Sequence, residues 1–222
     1  MSPNPSWRCI PFGTWRGRKA VELVTVRVYN CLRQLHGGTC TPDNIVSLFD
    51  KYRVPIEPDY VSIDTDMWLL KALIEGGYRP RVVSVEYNIN MPIDAVLVQA
   101  PNSGNVFDYA FGASLRAAAT VAEELSYVVA HVVKGLDVML VRGDLMRGVD
   151  VHPLEEWEAC CTNQTLHTIP SQQRVVGLMD YNVFRQTGDE NAANAAALQY
   201  LAKRPFLMTR PSTPFQVDLS LT

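Results

Sequence analysis

Hydrophobic and polar positions along this chain switch between two periods. Residues 21–29 (VELVTVRVY) alternate at Val24, Val26 and Val28, the period-two signature of a strand with one buried face. After the breaking pair Gly37-Gly38 the period lengthens, and Ile45, Val46, Leu48, Phe49 and Tyr52 recur at helical spacing. Thr41-Pro42-Asp43 supplies a capping hydroxyl, a proline for the first helical position and an acid for the first turn; Arg53-Val54-Pro55 ends the helix. Residues 60–63 (YVSI) are a β-prone run of strand length, followed by the acidic turn Asp64-Thr65-Asp66. A helix over 67–75 follows, with Asp66 as its cap and Gly76-Gly77 as its stop. Residues 81–87 (RVVSVEY) give another strand. Strand, helix and strand within about thirty residues make a βαβ unit, which implies parallel strands and a right-handed crossover.

The pattern continues less regularly. Residues 89–108 form a loop of about twenty residues broken by Pro92, Pro101 and Gly104, long enough to be functional or partner-facing, with a short strand inside it at 94–100 (DAVLVQA). A helix over 115–125 buries Leu115, Ala118, Ala119, Ala122 and Leu125, capped by Ser114. Two apolar strands, 127–133 and 136–142, flank Lys134-Gly135, a hairpin signal that ends the sheet with an antiparallel element. Residues 153–161 read as one short helix and 162–174 as a polar, proline-broken stretch. Residues 189–203 read as an alanine-rich helix whose apolar face is Ala193, Ala196, Ala197, Tyr200 and Leu201, ended by Pro205. The organisation expected is an arm over 1–20, an α/β domain over 21–150, and a helical and extended C-terminal extension over 151–222.

Composition narrows the setting. Hydrophobic residues are 47% and charged ones 19%, ordinary for a globular domain. A net charge of −3 gives no basic surface for nucleic acid. Cys9, Cys31, Cys40, Cys160 and Cys161 are an odd, scattered set without a CxxC pair, as expected of reduced thiols. No apolar run approaches the roughly 18–20 residues of a membrane span. Arg8, Arg16, Arg18 and Lys19 precede the first acid, Glu22, as in an organelle presequence or simply a basic surface. The expectation is a soluble protein of a reducing compartment, the cytoplasm or an organelle stroma or matrix. Trp7, Phe12 and Trp15 in the arm, and Phe206, Leu207, Met208, Phe215, Val217 and Leu219 in the tail, are too apolar for solvated termini. The arm is therefore expected to lie against this domain or a partner, and at least one of arm and tail to dock on other protein subunits.

Ligands of an open parallel sheet bind outside the carboxyl ends of its strands. Those ends carry Asp64, Asp66, Glu86 and Asn88, the candidate catalytic residues. The three acids have the oxygen chemistry of a divalent-cation site. They are equally served by loop amides, a helix cap and an arginine, and no metal is expected. Cys160-Cys161, with His152 and His167, lacks metal-ligand spacing. Ser114 is a cap and not a nucleophile, because Arg116 stands where G-x-S-x-G needs glycine. Met67, Trp68, Leu70 and Leu73 form a core face.

From residue 41 to about 146 the chain resembles FkbM-like methyltransferases. The resemblance is carried by TPDNI (41–45), FDKY (49–52), SIDTD (62–66), WLLKAL (68–73), RPRVV (79–83), EYN (86–88), GASL (112–115) and VRGDL (141–145), in that order. It implies a Rossmann-like fold, mostly parallel with an antiparallel terminal hairpin, and a cofactor, S-adenosylmethionine. It covers only the second half of that fold. The family continues from the acidic strand end with a glycine and further polar residues, whereas Asp66 here runs directly into Met67-Trp68. The glycine-rich turn that lets backbone approach the cofactor, and the acid that accepts its ribose hydroxyls, have no counterpart upstream of Thr41. The expected function is thus a methyltransferase-like accessory subunit of a larger complex without cofactor. The alternative is an active S-adenosylmethionine-dependent methyltransferase using Asp64, Asp66, Glu86 and Asn88.

Overall fold

The structure, a computed structural model, describes residues 40–64, 67–92, 94–101, 111–161 and 177–203. The arm, the expected strand over 21–29, Asp66 and the tail lie outside these. Helix α1 (Ile45–Lys51) leads to strand β1 (Tyr60–Ile63), helix α2 (Met67–Glu75) and strand β2 (Val82–Glu86). Then come β3 (Leu97–Gln99), α3 (Leu115–Glu124), β4 (Tyr127–Val132), β5 (Asp137–Arg142) and a 3-10 turn over Gly143–Met146. The chain closes with α4 (Leu154–Cys161), β6 (Leu178–Asp180), α5 (Tyr181–Thr187) and α6 (Glu190–Ala202). Among the described residues no helix is long and apolar enough to cross a membrane.

The βαβ unit forms as its spacing requires: β1 and β2 are adjacent and parallel, Tyr60 beside Val82 and Ile63 beside Val85. The hairpin forms as well, β4 antiparallel to β5 with a register shift between Val129 and His131. Its turn carries Gly135 at φ +74°, a left-handed conformation that suits glycine. The sheet order is β1-β2-β5-β4, and β5 lies antiparallel against β2.

The architecture is therefore α/β with a mixed sheet, and the expectation of a mostly parallel sheet is corrected. Within the four-stranded sheet one ladder is parallel and two are antiparallel. The reason is connection length. Parallel neighbours need a long crossover, and β1-α2-β2 is the crossover unit observed; β4 and β5 are joined by a tight turn, which permits only antiparallel pairing.

One core unites the layers. Val61, Ile63, Val83 and Val85 from the parallel pair pack with Leu69, Leu70 and Leu73 of α2 and with Ala117, Ala118, Val121 and Ala122 of α3. Strand β2 buries Val83, Ser84 and Val85 in succession, as a strand covered on both faces does. The buried face of α3 differs slightly from expectation: Ala117 and Val121 are inside, while Ala119 and Leu125 are half-buried. Helix α1 is already turning at Thr41, whose carbonyl accepts from the Asn44 and Ile45 amides at 3.1 and 3.0 Å. The stop of α2 is doubly specified, by Gly77 at φ +97° and by Gly76, where a β-carbon would collide with the Val46 side chain.

The residues beyond 150 share this core. Cys161, Met179, Tyr181 and Ala193 belong to it, and β6 pairs antiparallel with β3 through Leu97 and Asp180. Helix α6 starts where the sequence places it, with the Asp189 side chain accepting from the Asn191 and Ala192 amides at 2.8 and 3.2 Å. Ala193, Ala197 and Leu201 face inward, their small side chains permitting close approach.

Candidate functional site

Because β1 and β2 run parallel, both end at the same edge of the sheet; β5 runs the other way and begins there. Asp64 follows β1, Glu86 is the last residue of β2, and Asp137 opens β5 directly across from Glu86. Three carboxylates thus converge. Asp64 is exposed and Glu86 is half-buried. Burial pushes the Glu86 carboxyl above the ordinary glutamate range, and the Asp64 and Asp137 charges and a hydrogen bond with Asp64 push it further. Burial and the neighbouring carboxylates both disfavour the charged form of Glu86, so its proton is held more tightly than that of an exposed glutamate. A carboxyl raised in this way has the chemistry of a general acid.

Asn88 is placed differently. It is 2% exposed, its amide nitrogen donates to the Phe111 carbonyl at 2.9 Å, and its amide oxygen accepts from the Asn90 backbone at 2.9 Å. Its own backbone amide donates to the Ala113 carbonyl at 2.7 Å. The side chain holds the loop after β2 against the start of α3. The structure therefore brings Asp64 and Glu86 together, adds Asp137, and turns Asn88 to the interior. Among the described residues no group of three or more His, Cys, Asp or Glu is arranged to hold a metal ion.

Tyr87 anchors the ground beside the carboxylates. Its hydroxyl donates to the Cys161 carbonyl at 2.6 Å and accepts from the Gly135 amide at 2.9 Å, tying the end of α4 and the hairpin turn to β2. Burial, ahead of other causes, pushes its phenol upward. Ser114 is a cap, as its sequence context implies: the hydroxyl accepts from Ala117 N at 3.1 Å and Leu97 N at 3.2 Å and donates to Ala95 O at 2.7 Å. The face Met67, Trp68, Leu70 and Leu73 is buried, with the Trp68 indole N–H donating to Gln99 O at 2.7 Å.

The opposite end of the sheet holds an open depression of about 330 Å³ lined by Arg79, Tyr127, Arg142, Asp144 and Arg147. Arg142 is 8% exposed and its charge is met within the protein: Nε donates to Asp144 at 2.7 Å, and Nη1 to Glu57 at 2.9 Å and to the Arg79 carbonyl at 2.9 Å. The ion pair draws the Asp144 carboxyl below its ordinary range, and burial pushes the Tyr127 phenol up to about 12. These groups answer one another and build the floor of the sheet.

Sequence reasoning missed Asp137, Arg142 and the buried pair of Glu158 (3% exposed) with Arg116 at 2.5 Å. Asp137 became legible only with the strand order. A warning for Arg142 was its place as the last residue of an apolar, alternating strand, where an inward position demands carboxylate partners. Compared with known proteins, the chain matches no family model, no curated protein and no solved structure.

Proposed function

We propose that this chain is a methyltransferase-like protein without a competent S-adenosylmethionine site, serving as a structural or accessory subunit of a larger protein complex. The observation that carries the reading is Asn88: buried, with its amide oxygen and nitrogen both engaged by backbone, it has lost the freedom to meet a ligand at the strand ends. The resemblance over 41–146 and the order β1-β2-β5-β4 suit a truncated Rossmann-like sheet, in which a parallel pair is followed by an antiparallel hairpin. A glycine-rich turn and a ribose-binding acid supply much of a nucleoside's orientation, and a chain acting without them should bind it more weakly by several kcal/mol, about 1.4 per tenfold in affinity. The apolar composition of the arm and tail supports at least one of them meeting the other subunits.

Calorimetric titration of S-adenosylmethionine into the full chain tests this directly. The expected result is no saturable heat with ligand at about 1 mM. Micromolar binding that disappears in Asp64→Ala and Asp66→Ala would establish the enzyme instead. Removal of 206–222 is expected to leave the far-ultraviolet circular dichroism intact while weakening assembly.

The alternative, an active methyltransferase, is favoured by one observation. Glu86, its carboxyl raised by burial and by the Asp64 and Asp137 charges, lies at the carboxyl ends of parallel strands, where catalytic groups of such sheets stand.

A further inference from the structure

Cys160 and Cys161 are the last two residues of α4, and the Sγ atoms lie 2.9 Å apart. Neighbouring helix residues point about 100° away from each other, so contact between adjacent side chains is unusual. Here one thiol faces solvent and the other the core: Cys160 is exposed, whereas Cys161 is 4% exposed. Cys160 Sγ lies 3.5 Å from the Trp157 carbonyl and Cys161 Sγ 4.0 Å from the Val132 carbonyl of β4. The Tyr87 hydroxyl holds the Cys161 carbonyl, so the end of the helix that presents both sulfurs is pinned. Trp157 stands edge-on between His131 and His152, centroids 5.2 and 5.3 Å away, walling one side of α4.

Two thiols so placed have two joint fates, a disulfide or a shared third atom. A disulfide prefers Cα atoms at about 4.4–6.8 Å, whereas adjacent residues across a trans peptide stand at about 3.8 Å. Closing that ring would strain the peptide between the two residues at the end of α4. A shared atom needs no such approach. A tetrahedral zinc site needs more ligands than this pair supplies. A three-coordinate centre that brings its own third substituent needs only two sulfurs.

We propose that Cys160-Cys161 is a chelating dithiol site for trivalent arsenicals and related three-coordinate thiophilic centres. With an organoarsenic(III) oxide, the two thiols give their protons to the oxide oxygen, which leaves as water. Two arsenic–sulfur bonds replace the arsenic–oxygen double bond, and neither arsenic nor sulfur changes oxidation state. Exposed Cys160 bonds first; Cys161 then closes the chelate intramolecularly. Burial holds the Cys161 thiol up to about 11, so it enters protonated and supplies its own proton to the departing oxygen.

The test is intact-mass spectrometry of the reduced full chain after exposure to phenylarsine oxide. The expected product carries one reagent less one water, resists an excess of monothiol, and is stripped by a dithiol. Release by monothiol should be about a hundredfold slower than from a single cysteine. Cys160→Ala, at an exposed position and checked for fold by circular dichroism, should lose the resistant adduct, as should Cys161→Ser. A variant with Cys9, Cys31 and Cys40 all changed to Ala should keep it. A wild-type adduct that monothiol removes, or a resistant adduct on folded Cys160→Ala, overturns the assignment.

Discussion

Replacing Ser114 by alanine should destabilise the domain by about 3 kcal/mol, far more than removal of one hydroxyl from an ordinary surface. Three bonds are lost at a residue that is 1% exposed. Loss of the cap bond to Ala117 N costs about 1 kcal/mol. The Leu97 amide, on a fully buried residue, loses its bond to the hydroxyl, which costs about 1 kcal/mol at the low end for a buried donor left unmet. The Ala95 carbonyl adds about 1 kcal/mol for its lost donor. Packing changes little, since alanine fills nearly the same space. Equilibrium urea unfolding followed by tryptophan fluorescence is the assay. With a slope of about 2–3 kcal/mol per molar urea, the midpoint should fall by about 1 M. A loss below about 1 kcal/mol would refute the reasoning, because the hydroxyl could not then be joining α3, β3 and the preceding loop.

The other predictions concern charge and anchoring. Because the Glu86 carboxyl is raised, the folded state holds a proton that the unfolded chain releases above its ordinary value of 4.5, and stability falls as pH climbs from there through the folded pKa. Glu86→Gln should thus gain stability relative to wild type as pH rises across that window; urea midpoints whose difference ignores pH would contradict it. Arg116→Leu should cost about 2 kcal/mol in the same urea assay, since buried Glu158 loses its close cation. Arg116 holds down a Glu158 carboxyl that burial raises, so acid should shrink that loss; a loss independent of pH would count against the pair. Tyr87→Phe should cost about 1–2 kcal/mol and hasten alkylation of Cys161, because the end of α4 is released. Unchanged alkylation would mean that the phenol does not restrain the helix.

The local elements were readable because each has a short-range cause. Gly76-Gly77 stops α2, Lys134-Gly135 turns the hairpin, and Asp189 caps α6, all through neighbours a few positions away. Strand β6 escaped notice because three residues, LMD, give no period to count and its partner β3 is remote. The parallel bias of the sheet was over-read because a βαβ unit says nothing of what lies beyond its second strand. In the site, the meeting of Asp64 and Glu86 followed from parallel pairing alone. The burial of Asn88 did not, since it depends on where the loop near Phe111 and Ala113 returns. Glu158 resembled a solvated glutamate because its cation is supplied by a different helix.

The pairing of β3 with β6 has a consequence for the order of assembly. Leu97 and Asp180 meet across about eighty intervening positions, whereas β1 and β2 meet across about twenty, and the hairpin is closed by its own turn. Chain entropy makes the long closure costly until its contacts reward it, and non-local pairing of this kind slows folding. We therefore expect the four-stranded sheet with α2 and α3 to collapse first, and β6 with α5 and α6 to zip on afterwards. The late unit joins the main core through Met179, Tyr181 and Ala193 and buries Leu97, Leu178, Ala197 and Leu201 in a smaller second cluster, so its outer part should open before the four-stranded sheet does. Amide hydrogen exchange would see this as weaker protection along β3, β6 and α6 than along β2 and β5.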